Sequence, residues 1–175
     1  DANLSSQLDG TDGITLTKGA TTDKGTLAFN NERAPLNDPR VREALRLAVD
    51  HEAIITAIGG GNTLYGPIPP TDPGYEDLSS LVPFDPAKAK KLLKEAGQED
   101  LSLTLTLPNF YGTTVSTVLV SMYNDVGVTL KVNAVEFNTW LEDVYTNHDY
   151  DLSFVLHVEA RDFGNWANPE YYFNY

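Results

Sequence analysis

The chain has 175 residues, of which 41% are hydrophobic and 10% aromatic, a composition typical of a globular protein with one substantial core. Its 25 acidic and 12 basic side chains give a formal charge of −13 at pH 7, which argues against nucleic acid and anionic membrane surfaces as partners. Cysteine is absent, so disulfides, thiolate metal sites and a cysteine nucleophile are all excluded.

The first 25 residues are polar and rich in glycine and threonine, and they predict a linker with one short edge strand at residues 14–17. The sequence TLAFNN at 26–31 predicts a strand. The chain has no initiator Met and no signal peptide, so we expect it to be a processed or excised piece of a longer protein.

Two helices are predicted next. The first begins at Asn37 or Asp38 as the N-cap, with Pro39 in its first turn. Its apolar face repeats at helical spacing through Val41, Ala44, Leu45, Ala48 and Val49. The second helix, HEAIITAI, ends at three consecutive glycines, residues 59–61.

The segment at 64–84 contains five prolines and predicts an extended, turning loop. A further helix follows it in the sequence DPAKAKKLLKEAG. Here Asp85 is the expected N-cap, Pro86 occupies the first helical position and Gly97 ends the helix.

The rest of the chain alternates between strands and helices. Strands are predicted at 101–107, 128–135 and 150–156, and helices at 113–127 and 137–147. This order favours a parallel or mixed sheet with flanking helices, so the predicted fold class is α/β or α+β with one main sheet. We expect the core to contain Val41, Leu45, Val49, Leu92, Leu93, Leu103, Leu105, Val118, Leu119 and Val132.

Aromatic and acidic side chains follow the three predicted parallel strands, where each strand ends. Because ligands bind outside the carboxyl ends of strands in open α/β sheets, we expect a binding site at this rim. The side chains expected there are Phe110, Tyr111, Phe137, Glu159 and Asp162. The last two belong to HVEARDFGNWANP, residues 157–169, which also carries Arg161 and Trp166.

Other readings of these residues stay open at this point. Glu159 could have the structural role of an ion pair with Arg161 and not bind a ligand. Phe110 and Phe137 could belong to the core. Glu159 and Asp162 could act as an acid and a base, or ligate a metal together with His157, but no second motif completes either site. We therefore predict a binding module with no catalytic residue, metal or cofactor.

Five blocks of the sequence together resemble one known family. In chain order they are LAFNNERAPLNDPRVREALRLAVDHEAII, YGPIPPTDPGY, FDPAKAKKLLKEAG, DVGVTLKV and DYDLSF. Their order and spacing are similar to those of the peptide/nickel-type solute-binding proteins of ABC importers, and LNDPRVREAL is the most specific block. Members of this family have two lobes around a cleft, and this chain resembles the second lobe only. The resemblance thus implies a linker at 1–25 and a ligand-binding lobe at 26–175.

The resemblance also implies a function and a set of site residues. It implies an extracytoplasmic receptor, a cell-surface lipoprotein or a periplasmic protein, that captures peptides and presents them to a membrane permease. A metal chelate, or a structural role without a small ligand, is the alternative, and the fragment alone is expected to be monomeric. Asp162 falls at the position of the family's ligand aspartate, so its carboxylate is expected to be exposed to the cleft. The other expected ligand contacts are Phe110, Tyr111, Phe137, Glu159, Arg161 and Trp166.

Overall fold

The structure is a computed structural model that describes residues 7–17, 19–169 and 171. Its strands are β1 (Lys24–Phe29), β2 (Ser102–Pro108), β3 (Thr129–Val135) and β4 (Leu152–His157). Its helices are α1 (Pro39–Leu47), α2 (His51–Ile58), α3 (Pro86–Glu95), α4 (Thr114–Asp125) and α5 (Phe137–Trp140), and α5 continues as a π-helix over Leu141–Thr146. Short 3₁₀ turns occupy Ser79–Leu81, Asn109–Tyr111 and Phe163–Ala167.

The four strands form one mixed sheet in the order β1-β4-β2-β3. Strand β2 is parallel to both β3 and β4, while β1 is antiparallel to β4 and forms one edge. The predicted α/β class with a mixed sheet and flanking helices is therefore confirmed. Strand β1 begins two residues inside the segment predicted as a linker, and no strand forms at residues 14–17, where a short edge strand was expected.

The helix starts follow the capping residues that the sequence contains. Asp38 accepts a hydrogen bond from the Arg40 main-chain N–H at 2.9 Å, and Asp85 accepts one from that of Lys88 at 2.9 Å. Helix α3 ends at Glu95, with Ala96 as its C-cap, and Gly97 follows with a φ of +70° that favours glycine. These local signals set the helix boundaries within one or two residues of those predicted.

The main core lies between one face of the sheet and the helices α1, α3 and α4. Seven of the ten residues predicted for it are buried, namely Val41, Leu45, Val49, Leu93, Leu103, Leu105 and Leu119. Leu92 and Val118 are half-buried. Val132 is 44% exposed, so its predicted burial is wrong. The reason is its place on the edge strand β3, whose residues 131–134 are all exposed.

A smaller core lies on the opposite face of the sheet. It contains Trp140, Val144, Tyr150 and Val155, and the Trp140 Nε1 donates a hydrogen bond to Ser153 Oγ at 2.9 Å. This bond ties α5 to β4. Within the described ranges, no helix is long and apolar enough to cross a membrane.

Candidate functional site

Strands β2 and β4 separate towards their carboxyl ends, and a tyrosine fills the gap. Their parallel ladder contains only two residue pairs, Leu105 with Leu152 and Thr106 with Ser153. Beyond them, the main-chain N–H of Leu156 donates a hydrogen bond of 3.0 Å to the hydroxyl of Tyr111. The Tyr111 ring also meets Phe154 edge to face, with 5.7 Å between ring centroids. Tyr111 therefore joins the end of β2 to the end of β4.

Aromatic rings form a continuous surface beside this junction. Phe110 is 63% exposed and its ring centroid lies 4.6 Å from that of Tyr111 and 5.9 Å from that of Phe137. Phe137 is 42% exposed and nearly parallel to Trp140, with 5.8 Å between centroids and 6° between ring planes. A contiguous patch of exposed apolar side chains, unlike a single exposed residue, is typical of a binding surface.

These rings line a pocket of about 400 Å³ at the carboxyl ends of the strands, which we call the rim pocket. Its volume lies within the range of small-molecule sites. Its lining consists of Phe110, Tyr111, Phe137, Trp140, Leu141, Tyr145, Val155, Leu156, His157, Val158 and Glu159. Four of the seven residues predicted as ligand contacts, namely Phe110, Tyr111, Phe137 and Glu159, are thus brought together.

Two polar side chains interrupt this apolar lining. The Oε2 atom of Glu159 is buried and accepts no hydrogen bond from any described residue. Glu159 also forms no ion pair with Arg161, although both residues are described. Burial lowers the pKa of His157 below its usual value, against the opposing charges of Glu159 and Asp162, so its imidazole is neutral at pH 7. Glu159 therefore contributes a carboxylate to the pocket lining, with one buried oxygen whose hydrogen-bonding capacity the described residues leave unused.

Asp162 lies outside the rim pocket, and its expected exposure is wrong. Its side chain is 1% exposed and forms an ion pair with Lys24, whose Nζ lies 3.0 Å from Oδ2. The Lys24 side chain is 3% exposed and also donates to the carbonyl oxygens of Thr22 and Glu159. The cause is that β1 pairs with β4 and so places Lys24 opposite His157, within reach of the turn that carries Asp162.

Arg161 and Trp166 also lie outside the rim pocket. The main-chain N–H of Arg161 donates to the Asp72 carboxylate at 2.6 Å, and its own side chain is exposed. Trp166 meets His157 edge to face and lines a separate pocket of about 320 Å³ beside Lys24 and Tyr65. The segment 157–169 therefore contributes to two different surfaces of the molecule.

Some residues of the site were not predicted from the sequence. Leu141 and Tyr145 follow Phe137 at intervals of four residues, so the helical repeat through α5 could have indicated them. Lys24 sits in a polar segment read as a linker, and no local signal pairs it with Asp162. In the part of the chain that the structure describes, no group of three or more His, Asp or Glu side chains could hold a metal ion. His157, Glu159 and Asp162 therefore do not form the metal site considered above.

Comparisons with known proteins identify the family. The family model for bacterial extracellular solute-binding proteins, family 5 Middle, matches residues 1–175. Heme-binding protein A of Haemophilus influenzae is 49% identical over 73 residues, which cover 41% of this chain and 13% of that protein. The dipeptide-binding protein of Escherichia coli is 48% identical over 77 residues, covering 43% of this chain and 14% of that protein.

Solved structures share the fold as well. The dipeptide-binding protein of Pseudoalteromonas sp. SM9913, crystallised with Met-Leu, superposes with a TM-score of 0.78 and 28% sequence identity. The match covers 94% of this chain and 34% of that one. The chain therefore spans about a third of the length of this structural neighbour, and its matched segments span less than a sixth of each of the two curated relatives.

Proposed function

Because the chain belongs to the bacterial extracellular solute-binding proteins of family 5, we propose that it is part of the substrate-binding component of an ABC importer and holds a peptide in the rim pocket. Relatives named for dipeptide binding, and a structural neighbour solved with Met-Leu, support peptides as the solute class. We further propose that the protein binds its solute without catalysis. It does so outside the cytoplasm, where it presents the solute to a membrane permease.

The observation that carries this proposal is an aromatic pocket whose lining includes Glu159, a carboxylate with one buried oxygen that has no hydrogen-bond partner among the described residues. Burial of a large apolar side chain against such walls contributes about 1.5–3 kcal/mol. A donor on the solute that reaches the Glu159 carboxylate would add a charge-assisted hydrogen bond of about 1.5–3 kcal/mol. The walls supply most of the contact area, and the carboxylate fixes the solute's orientation.

The open side of the rim pocket suits a two-lobed receptor. Phe110 and Phe137 are 63% and 42% exposed here, so a second lobe closing over them would bury both rings together with the solute. We assign residues 26–175 to one such lobe and residues 1–25 to the connection that precedes it. Closure around the solute would then produce the form that the permease recognises.

A co-purification experiment tests the proposal. The intact protein that carries this chain is incubated with a pool of di- to pentapeptides and with haem, desalted, and examined by native mass spectrometry. We expect retained peptides in the wild type and a clear loss of retention in Phe110→Ala. Retention of haem alone would identify haem, and not a peptide, as the solute. Peptide retention that is unchanged in Phe110→Ala would show that the peptide is not held in the rim pocket.

A further inference from the structure

Arg161, in the segment 157–169, has a backbone conformation that residues other than glycine rarely adopt. Its φ is +55°, and among the described residues the only other non-glycine residue with a positive φ is His148, at +53°. In this left-handed region the Cβ atom crowds the residue's own carbonyl oxygen, so the conformation persists only where the surroundings hold it. The surroundings of Arg161 must therefore supply what holds the chain here.

The contact that holds Arg161 comes from the proline-rich loop, residues 64–84. The main-chain N–H of Arg161 donates to Asp72 Oδ2 at 2.6 Å, across 89 positions of sequence. A hydrogen bond to an ionised acceptor is shorter and stronger than one to a neutral acceptor. Asp72 is itself anchored, because its own N–H donates to the carbonyl oxygen of the buried Pro69 at 2.9 Å. The loop thus presents a fixed carboxylate to the turn at Arg161.

Arg161 lies between the rim pocket and a buried ion pair. Two residues before it, Glu159 lines the rim pocket together with Val158. One residue after it, the Asp162 side chain is 1% exposed and paired with Lys24. Because Asp162 is fixed in this way, a change of φ at residue 161 would shift Val158 and Glu159 relative to the rest of the pocket lining.

The hydrogen bond to Asp72 is exposed to solvent, which decides what its loss would do. Without the carboxylate, water can accept the Arg161 N–H, but nothing then favours the left-handed conformation over the ordinary one. Residue 161 would relax in a fraction of the molecules, and the pocket wall would move with it. A solute that needs the original wall binds only the molecules that keep it, so its apparent affinity falls by that fraction.

We propose that Asp72 is a positioning residue for solute binding. It holds Arg161 in the left-handed conformation and thereby holds the part of the pocket wall that Val158 and Glu159 form. Asp72 acts at a distance, because no residue of the loop 64–84, all of which the structure describes, lines the rim pocket. This inference rests on the proposed function, since it places the solute in the rim pocket.

The first experiment needs no solute. In the intact protein, Arg161→Gly should have a higher thermal midpoint than Arg161→Ala, because glycine adopts a positive φ without the crowding that the alanine Cβ causes. His148→Gly and His148→Ala should show the same order. A midpoint of Arg161→Gly equal to or below that of Arg161→Ala would overturn the proposal, since residue 161 would then not be held in the left-handed conformation in solution.

The second experiment measures the affinity of the intact protein for the tripeptide Ala-Phe-Ala by calorimetry, well below the thermal midpoints. We expect Asp72→Ala to bind it about fivefold more weakly than the wild type, the net effect of one exposed hydrogen bond. Addition of Arg161→Gly should restore the affinity to within about twofold of the wild type, because glycine keeps the turn without Asp72. Addition of His148→Gly relieves the same kind of strain outside the segment 157–169 and should restore nothing.

Three results of this titration would overturn the proposal. They are an unchanged affinity in Asp72→Ala, no restoration by Arg161→Gly, and a restoration by His148→Gly as complete as that by Arg161→Gly. If Ala-Phe-Ala does not bind the wild type, the proposed function has failed instead. The thermal midpoints then still decide whether residue 161 is held in its strained conformation.

Discussion

The hydroxyl of Tyr111 accepts a hydrogen bond of 3.0 Å from the main-chain N–H of Leu156. This contact joins β2 to β4 at the point where their parallel ladder has ended. It also anchors the aromatic surface, because the rings of Phe110 and Phe154 both pack against that of Tyr111. Tyr111 thus anchors the rim pocket to the sheet, because its hydroxyl accepts a hydrogen bond from β4 beyond the end of the ladder.

Removal of this hydroxyl should destabilise the fold measurably. Tyr111→Phe keeps the ring but removes the acceptor of the Leu156 N–H, and because this hydrogen bond is exposed its loss should cost about 0.5–1.5 kcal/mol. The free energy of unfolding in urea measures the loss. Tyr75→Phe is the matched control, since Tyr75 is 43% exposed, and it should change stability by less than about 0.5 kcal/mol. Equal stabilities of the two variants would show that the hydrogen bond is not formed in solution.

Two partners across the β2–β3 ladder should respond very differently to truncation. Leu105 is fully buried and pairs with Val132, which is 44% exposed. Leu105→Ala should cost about 2–5 kcal/mol because it leaves a cavity, whereas Val132→Ala should cost about 0.5 kcal/mol or less. Denaturant unfolding of both variants tests this. A loss for Val132→Ala as large as that for Leu105→Ala would mean that β3 is covered in solution.

The two kinds of ion pair in the chain provide a third comparison. Asp162→Asn removes the partner of a buried ammonium and should cost about 3–5 kcal/mol. Asp149→Asn removes one of the two carboxylate partners of Arg33, in a pair whose carboxylate is 75% exposed, and should cost about 0–1 kcal/mol. Thermal or urea unfolding distinguishes them. A small loss for Asp162→Asn would indicate that Lys24 is solvated and that the pair is open.

Stability should fall with acidification through the histidine range. Burial lowers the pKa of His157 in the folded protein, so the unfolded chain binds a proton first, near pH 6.5. The stability contribution of the neutral ring is therefore full above pH 6.5 and is lost as the pH falls through the lower folded value. His157→Gln should flatten the dependence of unfolding free energy on pH between 7 and 5. A pH dependence of His157→Gln as steep as that of the wild type would contradict the assignment.

Much of this fold could be predicted because its signals are local. Asp38 and Asp85 cap their helices through oxygens that the sequence places next to the first turn. The alternating leucines of β2 are all buried, as their spacing of two indicates. Val132 shows the limit of this signal. Its strand, β3, has the same alternation of apolar residues, but β3 lies at the edge of the sheet and Val132 is left uncovered.

The site was predicted only in part, for a similar reason. The ends of β2 and β3, and the start of the segment after β4, all reach the rim, so Phe110, Phe137 and Glu159 could be assigned from the order of the elements. The partner of Asp162 could not. Lys24 is separated from it by 138 positions in the sequence and reaches it only because β1 pairs antiparallel with β4. Long-range pairing of this kind leaves no periodic signal in either segment.

Calorimetric titration of the intact protein with a peptide recovered from the pool tests the central claim most directly. Phe110 and Phe84 are exposed to similar extents, 63% and 51%, but only Phe110 lines the rim pocket. Phe110→Ala should weaken peptide affinity about tenfold or more, as the loss of an aromatic contact in a closed site does, while Phe84→Ala should leave it within about twofold. Equal affinities of Phe110→Ala and the wild type would show that the peptide binds elsewhere.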